Sequence, residues 1–311
     1  MITETTFENL PALQLSDESV RLTIIPQWGG KISEVFDLHR SREWLFRRER
    51  FPDRLPFYGA NYIRDFDVGG FDECFPTIGP CLHPSAPWLG TPLPDHGEVW
   101  SIAWRARAEG AAIHLTAHGV RLPYRLDKSI HLLGDGRIRF DYSAANLTPF
   151  PMPFLWSSHP LFALRPGMRL SLPVARMRVF SAPAFAAQPG DSLTWPRVND
   201  LDLSLVPPPD TGIALKVFSP PLTEGWAALS DPSDGAAFRF EFEPSAVTHL
   251  GLWINYGGWA GATGEPPGFN LALEPCIGAP DALDTAVLDW GEHGTIPANA
   301  SLDWWLEITL S

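Results

Sequence analysis

Short runs of two-residue alternation dominate the chain. Phe238, Phe240 and Phe242 alternate with Arg239, Glu241 and Glu243, and Ile138, Phe140 and Tyr142 alternate with Arg137, Arg139 and Asp141. The segments 20–24 and 112–116 read the same way. Alternation of this kind gives a strand one buried and one solvated face. No long window carries apolar residues at i, i+3, i+4 and i+7. The 32 prolines and 26 glycines recur throughout the chain rather than in one linker, and both residues interrupt helices. Many short strands separated by turn chemistry predict an all-β sandwich or barrel. There is no fixed-period repeat and no low-complexity segment, so the proline-rich stretches at 149–153 and 206–209 read as loops within one domain spanning residues 1–311.

Composition narrows the function classes. Of 311 residues, 45% are hydrophobic and 19% charged, enough apolar material for a sizeable core. The net charge of −13, from 23 basic and 36 acidic residues, argues against nucleic acid, whose phosphates need Lys and Arg. The nearest basic run, Phe46-Arg47-Arg48-Glu49-Arg50, is interrupted by Glu49 and reads as a solvated turn. The first residues have neither a positive segment nor an apolar one, and no stretch is long enough to span a bilayer. Three cysteines (Cys74, Cys81 and Cys276) are too few and scattered for a disulfide framework or a four-thiolate site. A cytoplasmic protein without nucleic-acid or membrane partners is expected; acidity favours solubility and leaves monomer and homodimer open.

Several segments carry candidate chemistry. His96, in Asp95-His96-Gly97, is a proton-exchanging group beside a glycine that lets a ligand approach the backbone, or an incidental turn residue. His159 lies in Trp156-Ser157-Ser158-His159-Pro160, a satisfied core histidine or a proton donor, with Trp156 as a candidate sugar contact. Glu274 ends an apolar run just before Pro275. A carboxylate in such a setting must be paired, have its pKa raised or face a polar cleft, any of which suits a general base. Asp72 and Glu73, after Gly69-Gly70, either hold ligand hydroxyls or cap a turn. Among the 13 tryptophans, Trp253 and Trp259 flank Asn255 and Tyr256. Flat aromatic faces suit the C–H side of a pyranose, and Asn255 suits its hydroxyls.

Other motifs fail. His114 and His118 resemble a zinc pair at i, i+4, but on a strand they would lie about 13 Å apart. There is no phosphate-binding loop, no dinucleotide fingerprint and no nucleophile elbow. A metal, nucleotide or acyl-enzyme mechanism therefore has no positive support, and no metal is expected.

In order along the chain, these pieces resemble the aldose 1-epimerase (galactose mutarotase-like) family, closest to a less characterised epimerase-like branch. The resemblance runs from Ile24-Ile25-Pro26-Gln27-Trp28-Gly29-Gly30 through Cys74-Phe75-Pro76, Asp95-His96-Gly97, Ser158-His159-Pro160 and Leu250-Gly251-Leu252-Trp253. It closes at Glu274-Pro275-Cys276-Ile277-Gly278-Ala279-Pro280-Asp281. It implies a large twisted antiparallel β-sandwich of the galactose mutarotase-like supersandwich type, with a monosaccharide across its concave face and no cofactor. It also implies Glu274 as general base, His159 as general acid and His96 as a second active-site histidine near the ring oxygen. The family's substrate-clasping Asp has no clear equivalent here; Glu224 is the nearest carboxylate. Glu98-Val99 after His96-Gly97 departs from sugar-phosphate relatives.

The expected reaction is exchange of α and β anomers of a free aldose by proton transfer. Glu274 takes the anomeric proton while His159, kept charged by a nearby carboxylate, protonates the ring oxygen. A non-catalytic carbohydrate-binding or regulatory protein with the same cleft is the alternative. A glycoside hydrolase pairing Glu274 with Asp72 or Glu73 ranks third.

Overall fold

The alternating runs become two large antiparallel sheets in the computed structural model, which describes residues 1–49, 51–261 and 266–311. Arg50, the end of the short basic run, lies outside the described residues. One sheet has twelve strands and the other eight. In the eight-stranded sheet the alternation is followed closely: Phe238, Phe240 and Phe242 are buried, with half-buried Arg239 and Glu241 between them. Ile138, Phe140 and Tyr142 are likewise buried beside Arg137, Arg139 and Asp141. This sheet has one face against the core and one largely toward solvent. His114 and His118 do fall on a strand, Ala112–His118.

The middle of the twelve-stranded sheet is different. Its strands Phe71–Cys74, Trp156–Ala163, Phe269–Ile277, His249–Tyr256 and Ile213–Phe218 lie side by side in that order, and nearly every residue in them is buried. One face meets the opposing sheet. There Phe162, Leu250, Leu252, Leu271 and Leu273 join Phe140, Phe238, Phe240, Leu306 and Ile308 in a shared apolar cluster. Each such side chain contributes roughly 1.5–3 kcal/mol on burial. The other face is covered by loops and holds most of the sheet's buried polar groups. The helical segments are turns of three to five residues, and no helix among the described residues is long and apolar enough to cross a membrane.

One charged network lies inside the sandwich. Both carboxyl oxygens of Glu73 are satisfied: Oε1 accepts from Lys128 Nζ at 3.1 Å and from the Tyr142 hydroxyl at 2.9 Å, and Oε2 accepts from Trp156 Nε1 at 2.9 Å. Lys128 and Tyr142 belong to the opposing sheet, so this pair ties the layers together. Glu73 and Trp156 were expected to touch sugar; the structure corrects both. Successive strand residues point to opposite faces, so Glu73 turns inward while its neighbour Asp72 turns outward, and Trp156 turns inward beside Ser157.

A half-buried carboxylate makes stability depend on pH. Glu43 Oε1 accepts the backbone N–H groups of Val35 and Leu45 at 3.0 and 2.9 Å, while Oε2 is buried without a hydrogen bond. Burial pushes this carboxyl up to about 7, despite those N–H donors and the nearby Arg47. Between about 4.3, the unfolded value, and about 7, the folded protein keeps a proton that the unfolded chain has released. Stability therefore falls as pH rises through that window. Glu43→Gln retains the acceptor and is expected to be neutral near pH 4. It should stabilise by up to the order of 3 kcal/mol at pH 8. Urea unfolding at both pH values reads this, and equal gains at the two would refute it.

Candidate functional site

The strand register writes the site onto the loop-covered face. His159 lies opposite Asp72, and Ser157 is flanked by Cys74 and Cys276. The pairs on either side, Ser157 with Cys276 and Leu161 with Ala272, place His159 level with Glu274. Glu274 in turn faces Gly251, and Lys216 faces Trp253. Residues directly opposed across antiparallel strands have neighbouring side chains on one face, so five distant segments deliver Asp72, His159, Glu274, Trp253 and Lys216 to one place. Gly251 leaves room for the carboxyl: a Cβ there would sit 3.1 Å from Glu274 Oε2 and 3.1 Å from the Phe218 ring.

The covering loops add His96 and Tyr62. His96 (φ +60°) and Gly97 (φ +74°) are consecutive left-handed residues, and a Cβ on Gly97 would collide with the Phe75 carbonyl oxygen at 2.4 Å. Only glycine fits there, and a histidine held at positive φ is the type of local strain that accompanies a built site. The turn stacks His96 on Tyr62, with ring centroids 3.7 Å apart, and sets it edge-on to His159 at 5.1 Å. Tyr62, in the turn Tyr62–Phe66, donates its hydroxyl to Asp72 Oδ2 at 2.9 Å, and Asp72 also accepts from buried Lys31. Glu98 turns away and accepts the N–H groups of Val120 and Arg121 at 3.0 and 2.8 Å.

The surroundings shift the two histidines in opposite directions. For His159, burial together with the charges of His96, Lys216 and Lys31 holds the imidazole well below its ordinary range. It is neutral near pH 7, which corrects the expectation of a charged His159: the carboxylate nearby, Glu274 Oε1 at 3.8 Å from Nε2, is itself claimed by a lysine. Its Nδ1 is buried without a partner. His96 is half-buried, and Asp95 Oδ1 at 3.1 Å from Nδ1, with Asp281 and Asp72 beyond, outweighs the desolvation and raises its pKa above the ordinary value. Burial pushes the Glu274 carboxyl up, and Lys216 and Ser157 offset part of that push. Lys216 Nζ lies 2.6 Å from both Glu274 oxygens, and Ser157 Oγ donates to Oε2 at 3.2 Å.

A cavity of about 390 Å³ opens over this cluster, within the range of roughly 300–1,000 Å³ usual for small-molecule sites. His96, His159, Lys216 and Asp281 form its polar floor, and Trp253 and Trp259, edge to face at 5.3 Å, form an aromatic wall. Of the residues singled out in the sequence, His96, His159, Trp253 and Asn255 line it, with Asp72 and Glu274 immediately behind. Asn255 does so in a structural capacity: its amide donates to the Trp259 carbonyl and accepts from the N–H groups of Gly258 and Trp259. Glu224 is an exposed loop residue that accepts from Trp226 Nε1; the carboxylates at the cavity wall are Asp67, Asp95 and Asp281 instead. Lys216 was missed, although a lysine inside the run Ile213-Ala214-Leu215-Lys216-Val217-Phe218 is a signal: a strand buried on both faces tolerates a charge only beside a partner.

No protein-family model matches the chain, and no curated protein matches it in sequence. Solved structures do match in shape. Slr1438 protein from Synechocystis sp. PCC 6803 superposes with a TM-score of 0.72 at 20% identity, over 99% of this chain and 98% of the other. A galactose mutarotase-like protein from Clostridium acetobutylicum gives 0.71 at 14% identity, over 100% and 98%. Another from Lactobacillus casei ATCC 334 gives 0.68 at 17% identity, over 96% and 100%. The chain therefore has the galactose mutarotase-like fold, as its sequence motifs led us to expect.

Proposed function

We propose that the protein is an aldose 1-epimerase that exchanges the anomers of a free, uncharged monosaccharide without a cofactor. The observation that carries this reading is the meeting of two imidazoles and a carboxylate at one cavity wall: the His96 and His159 rings lie 5.1 Å apart, and Glu274 Oε1 lies 3.8 Å from His159 Nε2. Anomer exchange needs one acid and one base on either side of a hemiacetal, each near working pH. In this scheme a pyranose stacks on Trp253. Glu274 takes the proton of the anomeric hydroxyl, and His96, rather than His159, gives one to the ring oxygen. The C1–O5 bond opens to the aldehyde, rotation about C1–C2 presents the other face, and the same groups run the reverse step. Neutral His159 hydrogen-bonds the reacting oxygens between them. Each cation at the cavity has a carboxylate partner (Arg48 with Asp67, His96 with Asp95 and Lys216 with Glu274), which favours a neutral sugar over a phosphorylated one.

The test is direct. Freshly dissolved single anomers of a panel of hexoses and pentoses are followed by polarimetry with and without the protein. Acceleration proportional to protein concentration is expected for at least one. No acceleration with any aldose rejects the reading. A bell-shaped pH profile is also expected, its alkaline limb set by loss of the His96 proton. His96→Gln should remove that limb along with most of the rate, whereas an unchanged limb would exclude His96 as donor.

One observation favours a second reading, a sugar-binding protein without catalysis: Glu274 is fully buried and both its oxygens are held by Lys216. Saturable sugar binding by calorimetry with no change in the exchange rate would establish it.

A further inference from the structure

Lys216 stands between the cavity and the carboxylate that would act as base. Its ammonium is 2.6 Å from both oxygens of Glu274 and 3.4 Å from Asp281 Oδ1. The two acceptors differ in what they offer. Glu274 has no exposure to the cavity, and Ser157 is its only other hydrogen-bond donor among the described residues. Asp281 lines the cavity, and its Oδ1 has no hydrogen-bond partner. It is also fixed in place: its backbone carbonyl accepts the N–H groups of Ile78 and Gly79 at 2.9 and 2.7 Å. An ammonium moving from one carboxylate to the other travels a short way and always keeps a charged partner, so the move avoids the large cost of stranding a buried ion.

We propose that Lys216 is a positioning residue that shuttles between Glu274 and Asp281. With the cavity empty it caps Glu274; a bound aldose sends it to Asp281, and the anomeric hydroxyl takes its place as donor to Glu274. This rests on the reading of Glu274 as the base of anomer exchange. It reconciles a base that must meet substrate with a carboxyl that is covered in the free protein. No bond is made or broken by the move, and Lys216 stays protonated throughout. The groups facing this pair are Ser157 and His159 from one neighbouring strand, Cys74 from the strand beyond it, and Cys276 on the same strand as Glu274. Asp281 comes from the loop that follows, and the His96 and Lys31 charges act through His159.

The device is read first without any variant. In protein labelled with ¹³C at the glutamate carboxyls, the Glu274 signal is assigned from its loss in Glu274→Gln, then followed as an aldose that binds by calorimetry is added. Exchange of an ammonium for a hydroxyl donor should move that signal; a signal unmoved at saturating sugar overturns the proposal. The second arm is Asp281→Asn, which removes the receiving carboxylate. Sugar binding should persist within a few-fold, the Glu274 signal should stay where it is in the free protein, and kcat should fall by about 10²-fold or more, the lower end of what a positioned base supplies. Wild-type kcat in Asp281→Asn also overturns it. Should the wild-type protein fail to exchange anomers, the parent reading falls, and the carboxyl signal still decides whether Lys216 moves.

Discussion

Glu274→Gln is expected to slow protein-dependent anomer exchange by about 10²–10⁴-fold, the span a well-placed general base supplies, while sugar binding survives. The argument is geometric before it is chemical. Glu274 sits level with His159 on the adjacent strand and is held clear of the next by Gly251, so glutamine fills the same space without crowding. What is lost is the ability to take a proton. The surrounding charges adjust without stranding one, since Lys216 retains Asp281 at 3.4 Å. Saturation-transfer NMR measures the exchange and calorimetry the binding. A Glu274→Gln protein exchanging anomers at the wild-type rate would falsify the assignment of the base. Loss of both properties together would point to a collapsed cavity, and a thermal melt separates that case.

The second large effect lies away from the cavity. Lys128→Met is expected to destabilise the fold by roughly 3–5 kcal/mol, because it leaves the Glu73 carboxylate buried with only Tyr142 and Trp156 as partners. Adding Glu73→Gln should recover much of that loss, since a neutral pair no longer carries an uncompensated charge. Chemical denaturation of the wild type, Lys128→Met, Glu73→Gln and the double variant closes the cycle. A Lys128→Met protein as stable as the wild type would mean that water reaches the carboxylate, contrary to the complete burial of both side chains.

Much of this architecture was legible because two-residue periodicity is a local property. The runs around Phe238 and Phe140 show their buried faces without reference to any partner. Glu274 was legible as a carboxylate in an apolar setting that demanded an explanation, whereas His159 and His96 stood out only through the family resemblance. The same rule should have separated Asp72 from Glu73, since neighbours on a strand cannot serve one face. Reading them as a pair ignored the parity that had identified the strands. The charge state of His159 was beyond reach: it depends on Lys31, His96 and Lys216, three groups brought together only by the sheet order. Lys216 and Asp281 are ordinary residues in sequence, and become informative only when strand pairing sets the first beside Glu274 and the loop carries the second across to it.

The opposed carboxylates of Phe71–Cys74 bind two parts of the molecule to a single register. Asp72 anchors Lys31 and Tyr62 beneath the cavity, and Glu73 anchors Lys128 and Tyr142 between the layers. Inserting or deleting one residue just ahead of this strand would exchange their directions, since a one-step slip inverts every side chain. It would present Glu73 to the histidines and Asp72 to the apolar interior, undoing catalysis and cohesion in the same event. Length changes should therefore be tolerated in the loops flanking this strand only where they leave its parity intact, even at positions where the amino acid itself is free to vary.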